Sequence, residues 1–361
     1  MTGAIFCTSQ KNLDARLKEY EFPESGSEAP FAQSDWVLSS IRALDGWKKT
    51  KLVLIQDKRP LSLAPLGKRS GFFNAYEQIG VADLGEPGEL LYTHEHLPRL
   101  AEALARNRIP LSLGRVPAES PLIGALKHAY RKRALVVVRS RIGCPFIALD
   151  ESDGQDVKHI PEGMMRDLRR AKKRADAIGK VTVEVHTPTS AEAFEILWRR
   201  SLDIEASGWK GDAGSALKKN ERIRKFYETY SSQASKKGEL RICFLCIDNQ
   251  AIAMQIALER NDRFWLLKIG YNEQYAKCSP GMLLMYETIV YAAKRKLKSY
   301  EFMGTAGQWT RRWTKTEREN VSISTYPFTL SGMILLLGDM TTSMILKLHQ
   351  RKGKIDLAIG N

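Results

Sequence analysis

Gly270-Tyr271-Asn272-Glu273-Gln274-Tyr275-Ala276-Lys277-Cys278-Ser279-Pro280-Gly281-Met282-Leu283-Leu284 is the stretch that decides the fold. It passes from an apolar run, Phe264-Trp265-Leu266-Leu267, into the start of a helix. Ser279 is a good N-cap, Pro280 suits the first helical position, and Gly281 lets a ligand approach the backbone. The amides of Gly281, Met282 and Leu283 would then face outward from the positive end of a helix dipole, which is a place for phosphate. Lys277 would add a charge-assisted contact. The same three residues also start helices that bind nothing, so the motif needs its surroundings.

Working outward, three strands precede this stretch: Leu240 to Ile247, Ala251 to Leu258 and Arg263 to Tyr271. Asp248-Asn249-Gln250 and Asn261-Asp262 read as hairpin turns between them. The third strand is apolar without alternation at Phe264 to Leu267, which suits a central strand covered on both faces. Downstream come a helix from Pro280 to about Leu297, a strand at Tyr300 to Met303 and a last strand near Ser322 to Phe328. Upstream are helices at Met164 to Ile178, Ser190 to about Ala206 and Asn220 to Lys236, with a strand at Val181 to His186. The first half alternates in the same way. A helix starts at Ser34, strands follow at Leu52 to Gln56, Leu61 to Leu66 and Ala75 to Ile79, then a helix at Leu97 to Arg106. A strand at Ile109 to Leu113, a helix at Pro121 to Arg131 and a strand at Leu135 to Arg139 complete it. The class is α/β. Asp150-Glu151-Ser152-Asp153-Gly154 breaks the pattern, and four segments are expected: 1–30 polar, 31–155, 156–330, and an amphipathic tail over 331–361.

The chain has 361 residues, 43% hydrophobic and 27% charged, which excludes a mini-protein, a fibrous repeat and disorder throughout. No apolar run approaches the roughly 18 residues of a membrane span. The N-terminus lacks a basic region followed by an apolar core, so a cytoplasmic location is the expectation. Five cysteines, an odd and sparse set, agree with a reducing compartment. Lys and Arg number 56 against 41 Asp and Glu, a net charge of +15, which implies an anionic partner: nucleic acid, a lipid headgroup or a phosphorylated small molecule.

The order strand, strand, apolar strand, GYNEQYAKCSPGMLL, helix, then YEFMGTAGQWTRRW resembles the BioF2-like (CelD-type) acetyltransferases of the GNAT superfamily. Cys144 to Leu149, Arg166 to Arg170 and Gly208-Trp209-Lys210-Gly211 are similar to upstream segments of that family. The resemblance covers about residues 30 to 315 and is most specific over 160 to 315. It implies two tandem GNAT-like domains with mixed, centrally splayed sheets. It implies acetyl-CoA, or another acyl-CoA, as co-substrate, held at Lys277, Ser279, Gly281, Met282 and Leu283. No metal is implied. The acyl group would pass directly to an amine of a sugar or polysaccharide precursor, with Trp209, Lys210 and Asn272 on the acceptor side. Two departures stand out. Asn272 replaces the family's Asp, and Gln308-Trp309-Thr310 replaces a Tyr-Lys pair, and neither amide can serve as a base. Glu301 is then the nearest carboxylate for a base, with Tyr271 and Tyr275 as acids for the departing sulfur. Two alternatives stay open: a Fem-like transferase using aminoacyl-tRNA, and a degenerate GNAT scaffold that binds an anionic polymer.

Other features read more plainly. Cys243 and Cys246 lie three apart on a strand, point to opposite faces and are expected to be buried hydrophobes. His94-Glu95-His96 is read as an exposed loop. The basic run Arg166 to Arg174 is a solvated helix face or an attractor of CoA phosphates. In the tail, Met333 to Leu337 and Met344 to Leu346 precede Lys347, Arg351, Lys352 and Lys354, which packs onto the second half or touches an anionic membrane surface.

Overall fold

The computed structural model describes residues 4–7, 27–44, 50–56, 60–68, 75–149, 160–207, 217 and 219–342. The strands are β1 (Ala4–Cys7), β2 (Thr50–Gln56), β3 (Pro60–Lys68), β4 (Tyr76–Gln78), β5 (Leu91–Tyr92), β6 (Ser112–Pro117) and β7 (Ala134–Ala148) in the first half. The second half adds β8 (Val181–His186), β9 (Leu240–Ile247), β10 (Gln250–Arg260), β11 (Arg263–Tyr271), β12 (Ser299–Glu301) and β13 (Glu317–Pro327). The helices are α1 (Ser34–Leu44), α2 (Val81–Leu84), α3 (Leu97–Arg106), α4 (Pro121–Ala129), α5 (Glu162–Asp176), α6 (Ala191–Ala206), α7 (Glu221–Lys236) and α8 (Pro280–Lys294). A further helix, α9, occupies residues 330–342. The expected boundary, between residues 155 and 156, lies outside the described residues.

Two sheets result. The smaller runs β1-β2-β3-β4 with β5 on β3, and the larger runs β6-β13-β7-β12-β11-β10-β9-β8. The larger sheet continues through both halves because β7 is longer than its sequence suggests. The expected strand ends at Arg139, yet β7 continues to Ala148, with one end paired to β13 and the other to β12, Phe146 facing Glu301. β6 also sits later than expected. Pro110 lacks a backbone donor, and Leu111 bonds instead through its amide to Thr325 Oγ1 (2.8 Å).

Local chemistry explains the β9-β10-β11 meander. Asp248 and Asn249 in one turn, and Asn261 and Asp262 in the other, all have φ between +47° and +67°, the left-handed pair that a two-residue hairpin demands. Phe264 belongs to the core cluster under α8 and Trp265 to the opposite cluster, which α6 and α7 share, so this strand is apolar on both faces. Cys243 and Cys246 fall on those two opposite faces, and burial pushes their thiols up to about 12 and about 11. Ser190 and Asn220 cap α6 and α7 by accepting from the amides of Ala193 and Ile223.

The first residues of the chain's first half lie on the second. Trp36 of α1 meets Phe226 and Tyr230 of α7 edge-on, with centroids 4.9 and 5.0 Å apart. Asp35 accepts from Arg260 Nη2 at 2.9 Å, both side chains buried. Burial would raise the Asp35 carboxyl, but Arg260 and Lys237 outweigh it and hold it below the usual range.

Candidate active site

The site is built where β11 and β12 part. They pair in parallel only over Arg263–Ser299, Phe264–Tyr300 and Trp265–Glu301. Beyond Trp265, β11 continues to Tyr271, and among the described residues no strand lies beside that edge. A β-bulge falls at the same place: Leu266 faces Ala257 and Lys268 faces Ile256, leaving Leu267 as the extra residue. On the other side the chain turns out of the sheet at Met303 (φ 56°) and Gly304 (φ 53°). Glycine is the residue that takes the second of these conformations without strain.

The first half fixes that turn. Glu86 accepts from the Gly304 amide (2.5 Å), and Arg115 donates to the Gly304 carbonyl and to that of Gly85. Burial raises the Glu86 carboxyl to about 7, against the opposing pull of the Gly304 amide, Arg115 and Lys268. Lys268, next to the bulge, lies 4.6 Å above the Tyr227 ring. Burial lowers its pKa, with Glu86 and Glu205 pulling the other way.

A cleft of about 580 Å³ opens at the free end of the parted strands. Tyr271, Ser279, Gly281 and Met282 line it beside Trp309 and Arg312. The glycine-bearing start of α8 thus meets a cavity, as the sequence suggests. Its details differ. Ser279 adopts φ 50° and ψ 54° and makes no side-chain cap, and its carbonyl instead accepts from the amides of Met282 (3.0 Å) and Leu283 (3.2 Å). Two of the three amides expected to face a ligand are therefore engaged within the helix, and the Leu283 side chain is core. Gly281 keeps its place at the mouth: a Cβ there would stand 3.4 Å from the Tyr271 ring. Lys277 is exposed, and its carbonyl accepts from Arg174 Nη1 at 2.9 Å, which brings the basic helix α5 against the same loop. Arg312 pairs with Asp167 of α5 at 2.7 Å.

The remaining expected residues separate. Tyr275 does not line the cleft; its hydroxyl donates to Gln250 Oε1 at 3.1 Å. Asn272 accepts from the Gln274 amide at 3.0 Å and caps the short turn before Ser279. Trp209 and Lys210 lie outside the described residues. Glu301 faces away from α8, on the Trp265 side of the sheet. It is 2% exposed and accepts from Ser299 Oγ (2.6 Å) and Arg318 Nη2 (2.8 Å). It lines a different cavity, of about 390 Å³, where Glu89, Tyr92 and Glu119 of the first half face Arg263, Trp265 and Arg318 of the second. Burial raises the Glu89 carboxyl to about 7.

Sequence reading missed Glu205. This α6 residue is 1% exposed and lines the 580 Å³ cleft. One oxygen accepts from the Leu217 amide (2.7 Å), while Oε1 is buried without a partner among the described residues. It sits so close to Gly270 that a Cβ on that residue would come within 2.9 Å of the Glu205 Cα. A glutamate within a helix has no distinguishing local pattern, and only the missing side chain at Gly270 hints at the approach. Among the described residues no group of three or more His, Cys, Asp or Glu is placed to hold a metal, and no helix is long and apolar enough to cross a membrane.

Comparisons with known proteins agree with this geometry. Solved structures of similar fold include a conserved protein of unknown function from Bacteroides thetaiotaomicron (TM-score 0.53, 13% identity, 90% of this chain and 99% of that one). The C-terminal domain of a putative lysylphosphatidylglycerol synthetase from Agrobacterium fabrum is similar too (0.51, 11%, 86% and 92%), as is FemX (0.51, 10%, 93% and 99%). No curated protein matches. The acetyltransferase (GNAT) domain family matches residues 163–311, the segment that carries α5, the meander, the parted strands and the start of α8. That segment is a GNAT acyltransferase domain.

Proposed function

We propose that the chain moves an acetyl group from acetyl-CoA directly to a primary amine, and that the acceptor is an amino group of a sugar or polysaccharide precursor of the kind suggested by the CelD-type motifs. The observation that carries this reading is the parting of β11 and β12 beyond Trp265, with a bulge on one side and a cavity at either end. The CoA diphosphate would sit at Gly281 and the α8 N-terminus, with Arg312, Lys277 and α5 adding positive charge. The pantetheine arm would lie along the edge of β11 beyond Trp265, where no strand pairs with it among the described residues.

The smaller cavity suits the acceptor. Its carboxylates Glu28, Glu119 and Glu301, with Glu89 ionised only in part, outnumber Arg263 and Arg318, so a protonated amine is favoured there within a chain of +15. In the transfer, the ammonium first gives up a proton, the freed nitrogen lone pair attacks the thioester carbonyl, the C–N bond forms, and the C–S bond breaks with release of the thiolate as the nitrogen loses its second proton. Glu205, with its unpartnered oxygen, would take the proton from nitrogen. Tyr271 would return one to sulfur. Lys268 pulls the Glu86 carboxyl toward its ionised form, against its burial.

Acetyl-CoA binding by calorimetry, with free-thiol release against a panel of amino sugars and amino acids, tests the proposal. Saturable binding abolished by Gly281→Glu supports it, because that side chain would fill the mouth beside Tyr271. No binding at millimolar acetyl-CoA refutes it. Turnover only with charged tRNA would select the Fem-like donor instead.

A further inference from the structure

The chain carries an apolar surface with no role in the reaction above. Helix α9 follows β13 and packs back through Leu335, which is buried with Ala75 and Tyr326. Asp339 on the same side accepts from the Tyr326 hydroxyl at 2.8 Å. The opposite side holds Leu330, Met333, Ile334, Leu337 and Met340, each between 51% and 76% exposed. At 100° per residue these five fall within an arc of about 120°, a continuous stripe. Asp339, already bonded, is the only charged residue between Thr329 and Thr342. A solvated helix face ordinarily carries charge, and scattered single apolar residues would not line up in this way.

Beside the stripe the surface turns basic. Phe328, 62% exposed, donates its amide to the carbonyl of Arg133 (2.9 Å). This places it against the exposed turn Arg131-Lys132-Arg133, in which Lys132 has φ 62°. In the sequence that follows α9, residues 343–361 carry Lys347, Arg351, Lys352 and Lys354 and a single acid, Asp356. An apolar stripe bordered by cations on a chain of +15 matches the boundary between acyl chains and anionic headgroups. We propose that α9 and its basic border dock the protein peripherally on an anionic lipid bilayer. A second copy of the chain would bring the same cations against each other, so the charge pattern favours the lipid surface over self-association.

Sedimentation of the full chain with vesicles tests this, using phosphatidylcholine alone and phosphatidylcholine with about one third phosphatidylglycerol. The full chain is expected to sediment with the anionic vesicles and weakly with the neutral ones. Met333→Glu/Leu337→Glu should lower the partition coefficient by on the order of tenfold or more, with an unchanged thermal midpoint. Arg131→Ala/Lys132→Ala should lower it about fivefold per cation, on anionic vesicles alone. Failure to sediment, or equal sedimentation with both vesicle types, overturns the proposal. So does a dimer in light scattering that the double glutamate variant turns into a monomer, because a second copy then covers the stripe. A fall in that variant's thermal midpoint also overturns it, because the chain itself then covers the stripe.

Discussion

Replacing Glu86 by Gln probes the contact through which the first half holds the parted strands. The carboxyl is buried, and its pKa rises from 4.5 to about 7. Folding therefore favours the protonated form, and the native state holds the proton more tightly than the unfolded chain does. With the folded value above the unfolded one, the stability contributed is fully present below pH 4.5 and is lost as pH rises through about 7. At about 1.4 kcal/mol per pH unit, that interval corresponds to about 3 kcal/mol. Glutamine has similar shape, keeps an oxygen to accept from the Gly304 amide, and does not titrate. The assay is urea unfolding of wild type and Glu86→Gln at pH 5 and pH 8, followed by tryptophan fluorescence. Relative to wild type, the variant should be more stable at pH 8 than at pH 5, by up to about 3 kcal/mol. Glu89, whose pKa is also raised to about 7, is present in both proteins and cancels in the comparison. An equal difference at the two pH values would refute the reasoning, since it would mean that the Glu86 proton is not coupled to folding.

Two further substitutions separate chemistry from structure. Glu205→Gln should lower turnover by roughly 100- to 10,000-fold while acetyl-CoA affinity stays within about twofold; unchanged turnover in steady-state thiol release would remove Glu205 as the base. Glu301→Gln should cost about 1–2 kcal/mol in urea unfolding and leave turnover at saturating acceptor unchanged. The cost is small for a buried carboxylate because Arg318, 40% exposed, can turn to water when its partner loses its charge. A collapse in turnover would return Glu301 to the chemistry.

Much of the architecture is legible in the sequence because it rests on local rules. The β9-β10-β11 meander follows from Asp248-Asn249 and Asn261-Asp262, and α6 and α7 begin at their capping residues. The reading falters where tertiary pairing overrides composition. β7 runs through the polar Ser140-Arg141 because β13 and β12 lie alongside it, and β13 arrives nearly 200 residues later in the chain. The helix start at Ser279 is also legible, yet its amides are not. The first helical bond takes the Leu283 amide whatever the cap, and here the Ser279 carbonyl, with no side-chain cap, also accepts from Met282, which leaves Gly281 as the free amide of the three. Glu301 reads as a base on a strand beside the thioester. The register that sets it opposite Trp265, on the face away from α8, depends on which strands flank β12.

The paired halves acquire a physical reason from β7 and β13. A GNAT cleft needs two strands that stay apart, and strands left with unsatisfied edges tend to close on each other or on another chain. Here β12 contributes only three paired residues to β11, too few to fix the angle between them. Its far edge is held by β7, a strand of the first half whose other edge pairs with β13, and β13 pairs in turn with β6. The turn after it is held by Glu86 and Arg115, which bond the two sides of the Gly304 peptide units. Both restraints come from residues before the expected boundary, outside the segment 163–311 that carries the acyltransferase domain. The first half thus acts on the site by setting the geometry of the gap between β11 and β12, and it supplies one wall of the acidic cavity at the closed end of that gap. If that cavity takes the acceptor, as proposed, a change in acceptor preference is to be sought in Glu89, Tyr92 and Glu119, which line it and do not line the 580 Å³ cleft.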